Sequence, residues 1–262
     1  MEIILQAGTL WWREISRFVR QRSRLSGGLL QPLVFWLLLG AGLKASFKPS
    51  GMPAGMNYAQ YFYPGVIVMV LLFTAIFATI STVEDRREGF LQGVLVAPVS
   101  RVTVVLGQAL GATTLALMQG IIFLILAPLA GIHLNLAAVG VAIAMMALIA
   151  FALTSMGLII AWRIDSTQGF HAIMNLILLP IWILSGAFFP AEGAPAILAW
   201  TMRLNPLTYG MSALRQGLYL GEPGMMTVTR APALEFSVAI TVAFALAAFA
   251  AASWVARRSS TI

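Results

Sequence analysis

The order of apolar and polar positions divides the chain into long apolar runs separated by short polar segments. Six runs are long enough to be membrane-spanning helices, which need about 20 mostly apolar residues. They are residues 28–45, 61–83, 102–129, 136–162, 169–189 and 235–256. The third and fourth runs are longer than a bilayer requires and are joined only by residues 130–135, which predicts a tight turn between two tilted helices.

The first 25 residues have a different pattern, in which apolar and basic side chains fall on separate faces of one helix. The apolar face has Ile4, Trp11, Trp12, Ile15, Phe18 and Val19, and the basic positions are Arg13, Arg17, Arg20 and Arg24. This predicts an amphipathic helix at the membrane interface, with its arginines toward anionic lipid. A solvated basic tail is the alternative, but it would not need two tryptophans.

Residues 190–220, between the fifth and sixth runs, are too apolar for an ordinary loop and too interrupted by proline for a span. Pro190, Pro195 and Pro206 separate short apolar stretches. Proline interrupts a helix, and irregular backbone at membrane depth needs protein or cavity water to satisfy its polar groups. The pattern predicts short re-entrant helices on the side opposite the termini.

Composition places the chain in a membrane. Of its 262 residues, 60% are hydrophobic and 10% are charged, whereas a soluble domain has about 25% charged residues. The net charge of +7 could suggest nucleic acid, but the basic residues lie beside apolar runs, where membrane topology explains them better. Six spans put both termini on one side, and that side has 11 of the 16 Lys and Arg residues, so it is predicted to be cytoplasmic.

Several kinds of chemistry lack the residues that they require. Only Lys44 and Lys48 are lysines, and neither lies in a phosphate-binding loop, so this chain is not expected to hydrolyse ATP itself. With no cysteine and with His133 and His171 far apart, no catalytic residue and no metal site are expected. The spans contain almost no ionisable residue except His171, which we interpret as a packing residue rather than a proton relay. An ion-coupled carrier or a channel remains the alternative function.

Five consecutive charged residues, Glu84, Asp85, Arg86, Arg87 and Glu88, follow the second apolar run. The mixed signs allow local pairs such as Glu84 with Arg87 on a short helix. Phe90, Leu91, Val94 and Leu95 then supply an apolar side, and Pro98 ends the helix before Ser100 caps the third span. The pattern predicts a short amphipathic helix over residues 84–98, which either docks a protein partner or is an ordinary positively charged loop.

Three stretches in order resemble one family, the ABC type-2 exporter permeases. The first is residues 85–101, Asp-Arg-Arg-Glu-Gly-Phe-Leu-Gln-Gly-Val-Leu-Val-Ala-Pro-Val-Ser-Arg, which is similar to the family's loop after the second span. The second is Leu-Ser-Gly-Ala-Phe-Phe-Pro at 184–190, and the third is Leu-Asn-Pro-Leu-Thr-Tyr-Gly-Met-Ser-Ala-Leu-Arg at 204–215. Arg87, Phe90 and Gln92 depart from the family's pattern, which often has Glu, Thr and Glu there.

The resemblance implies an all-α polytopic membrane protein that forms one domain over residues 1–262. It would be the permease subunit of an exporter in a bacterial inner membrane, acting as a homodimer on two copies of a separate ATPase subunit. ATP and magnesium would bind that partner, and no cofactor would bind this chain. The exporter would move a hydrophobic or amphipathic drug, lipid or glycolipid.

The resemblance also assigns roles to particular residues. Residues 1–25 would be a connecting helix beside the ATPase, and residues 84–98 would contain the coupling helix. The residues of the coupling contact would be Asp85, Arg86, Arg87, Glu88, Gly89, Phe90 and Leu91. The cargo pathway would lie at the dimer axis, between the second and fifth spans, and its residues here would include Phe73, Phe77, Met174, Asn175, Trp182 and Phe188. These residues also have the spacing of ordinary packing positions.

Overall fold

The structure is a computed structural model that describes residues 2–20, 22–43, 56–96, 98–191, 194–221 and 232–258, and the regular elements of these residues are all helices. Its helices are α1 (Glu2–Arg20), α2 (Arg22–Gly42), α3 (Tyr58–Arg87), α4 (Phe90–Val96), α5 (Arg101–Leu126), α6 (Leu136–Ala161), α7 (Thr167–Trp182), α8 (Ala196–Leu204), α9 (Pro206–Leu218) and α10 (Leu234–Arg258). A 3-10 turn at Ala127–Ala130 follows α5, and a π-turn at Ile183–Ala187 follows α7. The predicted all-α fold is confirmed.

Within the described part of the chain, five helical segments are long and apolar enough to cross a membrane. They are Tyr58–Arg87, Arg101–Ala130, Leu136–Ala161, Thr167–Ala187 and Leu234–Arg258, and each overlaps one predicted span. The predicted first span, 28–45, overlaps α2, whose apolar stretch Gly28–Gly40 is shorter than a full crossing. The last two residues of that predicted span lie outside the described residues.

The longest helix, α3, forms the centre of the bundle. It packs against α2, α5, α6 and α7, and nearly all of its apolar stretch is buried. A helix that is apolar on all sides is stable only where protein or lipid surrounds it completely. At about 1.5 Å per residue, its 30 residues span about 45 Å, so α3 reaches from one end of the bundle to the other.

The first helix, α1, lies against α5 at very short range. A Cβ added at Gly107 would lie 2.7 Å from the Cβ of Leu10, and one added at Gly111 would lie 2.7 Å from the Cβ of Glu14. These two glycines, four positions apart on one face of α5, therefore permit the approach. Phe18 is buried in a cluster with α5, while Trp12 on the other side of α1 is exposed.

Different kinds of contact hold the two ends of the bundle together. At one end, here called the charged end, α3 terminates beside α1, the end of α6 and the start of α7. At the opposite end, the side-chain amide of Gln60 donates to the carbonyl of Gly131 in the α5–α6 turn, and Asn135 donates to the carbonyl of Leu220 after α9. The short helices α8 and α9 lie at this opposite end, within the predicted segment 190–220.

Candidate functional site

The charged segment at residues 84–88 belongs mostly to α3. The helix continues to Arg87, and Gly89 interrupts it with a φ of +78°, a backbone conformation that glycine adopts readily. The short helix α4 then begins at Phe90. The prediction of a single helix over residues 84–98 is therefore wrong. Residues 84–87 form the end of α3, Gly89 interrupts the helix, and α4 is a separate helix. The predicted cap of α5 is present, since the Ser100 hydroxyl accepts from the Thr103 amide at 3.1 Å.

Asp85 is held by two arginines from α1. Arg13 donates to both carboxylate oxygens of Asp85, at 2.6 and 2.7 Å, and Arg17 donates to one of them at 2.6 Å. Arg17 also donates to Glu84 at 2.8 Å. The Asp85 side chain is only 1% exposed. We call these four residues the charged junction.

The charged junction corrects two predictions. Arg13 and Arg17 were expected to face anionic lipid, but they face the end of α3 instead. Glu84 was expected to be able to pair with Arg87, three positions later on the same helix, but in the structure it binds Arg17 of α1. Bidentate arginine–carboxylate pairs are stronger and more directional than single contacts, so the junction fixes α1 to α3 at this end of the bundle.

A second carboxyl group, Glu14, is buried beside the junction. The Ser81 hydroxyl donates to it at 2.7 Å, and Arg13 donates to it at 3.3 Å. Burial raises the pKa of Glu14 above its ordinary value, and the hydrogen bond from Ser81 offsets this only in part. In contrast, the hydrogen bond to Asp85 is the main reason that the pKa of Arg13 is raised.

Arg86 connects α3 to the start of α7. Its guanidinium lies 2.9 Å from Asp165 in the α6–α7 connection and 3.3 Å from the carbonyl of Ala161, the last residue of α6. A cation at a helix C-terminus interacts favourably with the helix dipole. Two consecutive residues of α3, Asp85 and Arg86, thus bind different neighbours, α1 and the α6–α7 connection.

The predicted coupling residues differ in how much surface they offer. Asp85 and Leu91 are buried, Arg86 and Gly89 are half-buried, and Arg87, Glu88 and Phe90 are exposed. Val96 at the end of α4 is 88% exposed. The Arg13 guanidinium lies 3.7 Å from the centre of the Phe90 ring, which ties α4 to the charged junction. We call Arg87, Glu88, Phe90 and Val96 the α4 surface.

A cavity of about 240 Å³ lies between α2, α3 and α7. It is lined by Gln31, Phe73, Ile76, Phe77, His171, Asn175 and Leu179. The polar side chains come from α2 and α7, and the aromatic ones come from α3. One half of the wall can therefore form hydrogen bonds while the other half is apolar.

The structure divides the six predicted pathway residues into two groups. Phe73, Phe77 and Asn175 line the cavity. Met174 and Trp182 are buried in the core, and the Phe188 ring packs against Trp182 near the opposite end, at 4.8 Å between ring centres. Met174 and Trp182 therefore have packing roles, and Phe188 lies apart from the cavity wall.

Comparison with known proteins supplies the family. The pattern of the ABC-2 type transporter family matches residues 5–219. The chain is a member of that family. It is 29% identical over 199 residues to "Putative transport permease ycf38" of Cyanophora paradoxa, covering 75% of this chain and 68% of that protein. It is 28% identical over 211 residues to "Nodulation protein J" of Rhizobium leguminosarum bv. trifolii, covering 77% and 76% of the two chains.

As an ABC-2 permease, the protein is a multi-pass membrane subunit that works with an ABC ATPase subunit. Sequence reasoning missed four of the seven residues that line the cavity, which are Gln31, Ile76, His171 and Leu179. Two features of the sequence could have indicated the polar side of this cavity. Gln31 is a polar residue within an apolar run, and His171 and Asn175 are four positions apart on one helix face. His171 also contacts the Phe77 ring at 5.9 Å, so its interpretation as a packing residue is compatible with this position.

Proposed function

We propose that this ABC-2 permease is the membrane subunit of an ATP-driven exporter for an amphipathic cargo. Two copies of the chain would form the membrane part and bind two copies of the ATPase subunit, which would hold ATP and magnesium. The observation that carries the proposal is the α4 surface, which presents apolar and charged side chains together at the end of the longest helix. An apolar centre with a polar rim is the usual composition of a protein interface.

The charged junction supports a mechanical role for this end of the bundle. A force applied to α4 would reach α3 directly, since only Glu88 and Gly89 separate the two helices. The ion pairs of Asp85 would then move α1, and Arg86 would move the start of α7. Movement of α3 and α7 relative to each other would change the shape of the cavity between them.

The distribution of charge supports a cytoplasmic position for the charged end, in a bacterial inner membrane. Eleven of the 16 Lys and Arg residues fall on the side predicted to include this end. The ATPase subunit must reach the α4 surface from the cytosol, where ATP is available. The charge distribution and the access that the ATPase needs therefore both require the charged end to face the cytosol.

The lining of the cavity supports an amphipathic cargo. Phe73 and Phe77 offer ring faces, and Gln31, His171 and Asn175 offer hydrogen-bonding groups on the facing helices. Ligand sites commonly combine an apolar wall with a few polar groups that fix orientation. A purely apolar hydrocarbon would offer no hydrogen-bonding group to Gln31 or Asn175, and covering such polar groups without compensation costs binding free energy.

Assembly with the ATPase tests the proposal. The chain is co-expressed with an ABC ATPase encoded beside it, the complex is purified, and its mass is measured by light scattering. We expect two copies of each subunit, and we expect the double variant Glu88→Ala/Phe90→Ala to lose the ATPase during purification. Unchanged assembly and ATPase rate in that variant would contradict the assignment of the α4 surface.

A further inference from the structure

The charged junction is balanced in charge without Glu14. Arg13 and Arg17 supply two positive charges, and Glu84 and Asp85 supply two negative charges. Glu14 lies beside the junction, and its side chain is only 7% exposed. An ionised Glu14 would therefore be a buried carboxylate without a cation of its own, which costs free energy.

The other charged groups of this region do not supply the missing cation. Arg86, the next cation of α3, lies against Asp165 instead, and Glu88 adds a further negative charge beside the junction. Helix α5 packs against Glu14 with Gly111, which has no side-chain charge. Among the described residues around it, Glu14 therefore meets at least as many negative as positive charges.

The hydrogen bonds of Ser81 indicate where a proton is held. Its Oγ lies 2.7 Å from Oε2 of Glu14 and 2.7 Å from the carbonyl oxygen of Ala78. A serine hydroxyl has one proton to donate but can also accept. If Glu14 is ionised, Ser81 donates to it and gives up the bond to Ala78. If Glu14 is protonated, its O–H donates to Ser81 while Ser81 donates to Ala78, so both short contacts are satisfied.

Burial favours the same protonated form. It raises the pKa of Glu14 above its ordinary value, because removal from water destabilises the charged form of a carboxyl group. The balance of charge, the two contacts of Ser81 and the burial of the side chain therefore all favour a neutral Glu14.

The state of Glu14 affects Arg13, whose guanidinium has three neighbours. It donates to both oxygens of Asp85, it lies 3.7 Å from the centre of the Phe90 ring, and its Nη1 lies 3.3 Å from Oε1 of Glu14. A neutral Glu14 competes weakly for the guanidinium, because hydrogen bonds between ionised groups are about twice as strong as neutral ones. An ionised Glu14 would draw Arg13 toward itself and away from the Phe90 ring.

The ring contact of Arg13 matters for α4, because Phe90 is the first residue of that helix. The buried side of α4 belongs to an apolar cluster in which Leu91, 3% exposed, is grouped with Trp162 of the α6 end and Val255 of α10. Helix α4 has only seven residues, and so short a helix depends on its tertiary contacts for stability. Loss of the ring contact would therefore loosen α4 from the bundle.

We propose that Glu14 is a proton-binding site that controls how firmly α4 is attached to α1. With the proton bound, Arg13 is left to Asp85 and the Phe90 ring, and α4 is held. When the proton leaves, Arg13 moves toward Glu14, and α4 loosens. The attachment of α4 is therefore strong at low pH and weakens as pH rises through the pKa that Glu14 has in the folded protein.

The proton site also has a consequence for the proposed function. Because α4 has the surface assigned to the ATPase contact, the pH of the cytosol would change how well the permease and the ATPase are coupled. This consequence alone rests on the proposed function. The link between Glu14, Arg13 and α4 does not depend on it.

Cysteine labelling of α4 tests the proposal, because the natural chain contains no cysteine. Leu91 is buried, so a maleimide reacts with Leu91→Cys only when α4 separates from the bundle. The full chain in nanodiscs, without an ATPase subunit, is labelled from about pH 5 to about pH 9, which lies above the ordinary pKa of a glutamate. The same series is repeated with Leu91→Cys/Glu14→Gln. At each pH, the ratio of the two rates cancels the titration of the thiol itself.

Glu14→Gln copies the protonated form, because its amide is neutral and of similar size. We expect the ratio of the rate with Glu14 to the rate with Gln to be near one at the lowest pH. It should rise about five-fold at the highest pH, the size expected for loss of a partly exposed cation–π contact. Phe90→Leu in the Leu91→Cys chain keeps an apolar side chain but no ring, and it should label fast at every pH.

Glu235→Gln is the matched control, because Glu235 is exposed at the start of α10, whereas α4 lies by the end of that helix. Its labelling rate should equal that of the parent reporter at every pH. A ratio that stays near one across the whole range would overturn the proposal, and so would the same rise when Glu235→Gln takes the place of Glu14→Gln.

A second comparison keeps the test decisive if Glu14→Gln does not purify. The pH dependence of Leu91→Cys is then compared with that of Phe90→Leu/Leu91→Cys, and equal pH dependence in the two would show that Arg13 and Phe90 do not transmit the change. These measurements use neither an ATPase nor a cargo. The proposed function fails if no ATPase binds the chain, whichever way the labelling turns out, so the two failures are distinguishable.

Discussion

Arg13 and Asp85 form a two-pronged ion pair, with nitrogen–oxygen distances of 2.6 and 2.7 Å, across 72 positions of sequence. The pair joins an amphipathic helix at the surface to the central helix of the bundle. Because α4 begins only a few residues after Asp85, the pair also fixes where the proposed ATPase contact lies relative to the rest of the protein.

Removing the charge of Asp85 should loosen this junction. Asp85→Asn leaves two arginines facing a neutral group, and we expect a loss of about 2 kcal/mol of stability, less than for a fully buried pair since both arginines are partly exposed. Asp165→Asn is the control, because Asp165 pairs with Arg86 while its own side chain is 82% exposed. Such an exposed ion pair should contribute less than about 1 kcal/mol to the free energy of unfolding. Thermal unfolding in detergent compares the two. Equal effects would contradict the junction's role.

Replacing Glu14 by its neutral amide should raise the stability of the protein, whereas the same change at Asp85 should lower it. The pKa of Glu14 is raised in the folded protein, so at a pH between the unfolded and the folded pKa the folded state keeps a proton that the unfolded chain has released. The resulting stability is present below the unfolded pKa and is lost as pH rises through the folded pKa. We therefore expect Glu14→Gln to match the parent protein near pH 5 and to unfold at a higher temperature near pH 8.

The matched control for this prediction is Glu235→Gln, since Glu235 is exposed at the start of α10. Its unfolding temperature is measured over the same pH range and compared with that of Glu14→Gln. If Glu14→Gln instead lowered the unfolding temperature near pH 8 as much as Asp85→Asn does, Glu14 would have to be an ionised member of the charged junction.

The close approach of α1 and α5 predicts a contrast between two glycines. Gly107→Ala would place a Cβ 2.7 Å from the Leu10 Cβ and 3.0 Å from the Ala7 carbonyl, and we expect a loss of about 1–3 kcal/mol. Gly8→Ala meets nothing within 4 Å and should stabilise α1 by up to about 1 kcal/mol. Chemical denaturation measures both. A neutral Gly107→Ala would mean that α1 does not lie against α5.

The α4 surface predicts a change in binding without a change in folding. Val96 is 88% exposed at the end of α4, so Val96→Asn should leave the unfolding temperature unchanged while weakening ATPase binding about ten-fold if Val96 is a central contact. Leu136→Asn is the control, because Leu136 is equally exposed but lies at the opposite end. Binding is measured by surface plasmon resonance with the permease in nanodiscs. Equal binding by both variants would exclude Val96 from the interface.

The apolar pattern predicted the helices well because hydrophobic length alone identifies most spans. The predicted run 136–162 and the helix Leu136–Ala161 agree within a residue, and α8 and α9 lie where prolines divide residues 190–220. The partners of the charged segment could not be predicted in this way. Local spacing favours Glu84 with Arg87, whereas packing brings Arg17 to Glu84 from a helix far away in sequence.

The cavity shows the same limit of sequence reasoning. Phe73, Phe77 and Asn175 were among the predicted pathway residues, but Gln31 comes from a different apolar run, and no periodicity relates one helix to another. The contact that Arg215 makes was equally hidden. Its acceptor is a backbone carbonyl of Gly186, and the sequence does not record which carbonyls a helix break leaves free.

Movement of a labelled lipid across a membrane tests the central claim most directly. The permease and its ATPase are reconstituted in proteoliposomes with a fluorescent, NBD-labelled glycolipid as the amphipathic probe, and dithionite quenching reports which leaflet holds it. The account predicts movement that requires ATP and the ATPase, persists in Leu136→Asn and is lost in Glu88→Ala/Phe90→Ala. Movement driven by a pH gradient, with no ATP and no ATPase subunit present, would contradict it.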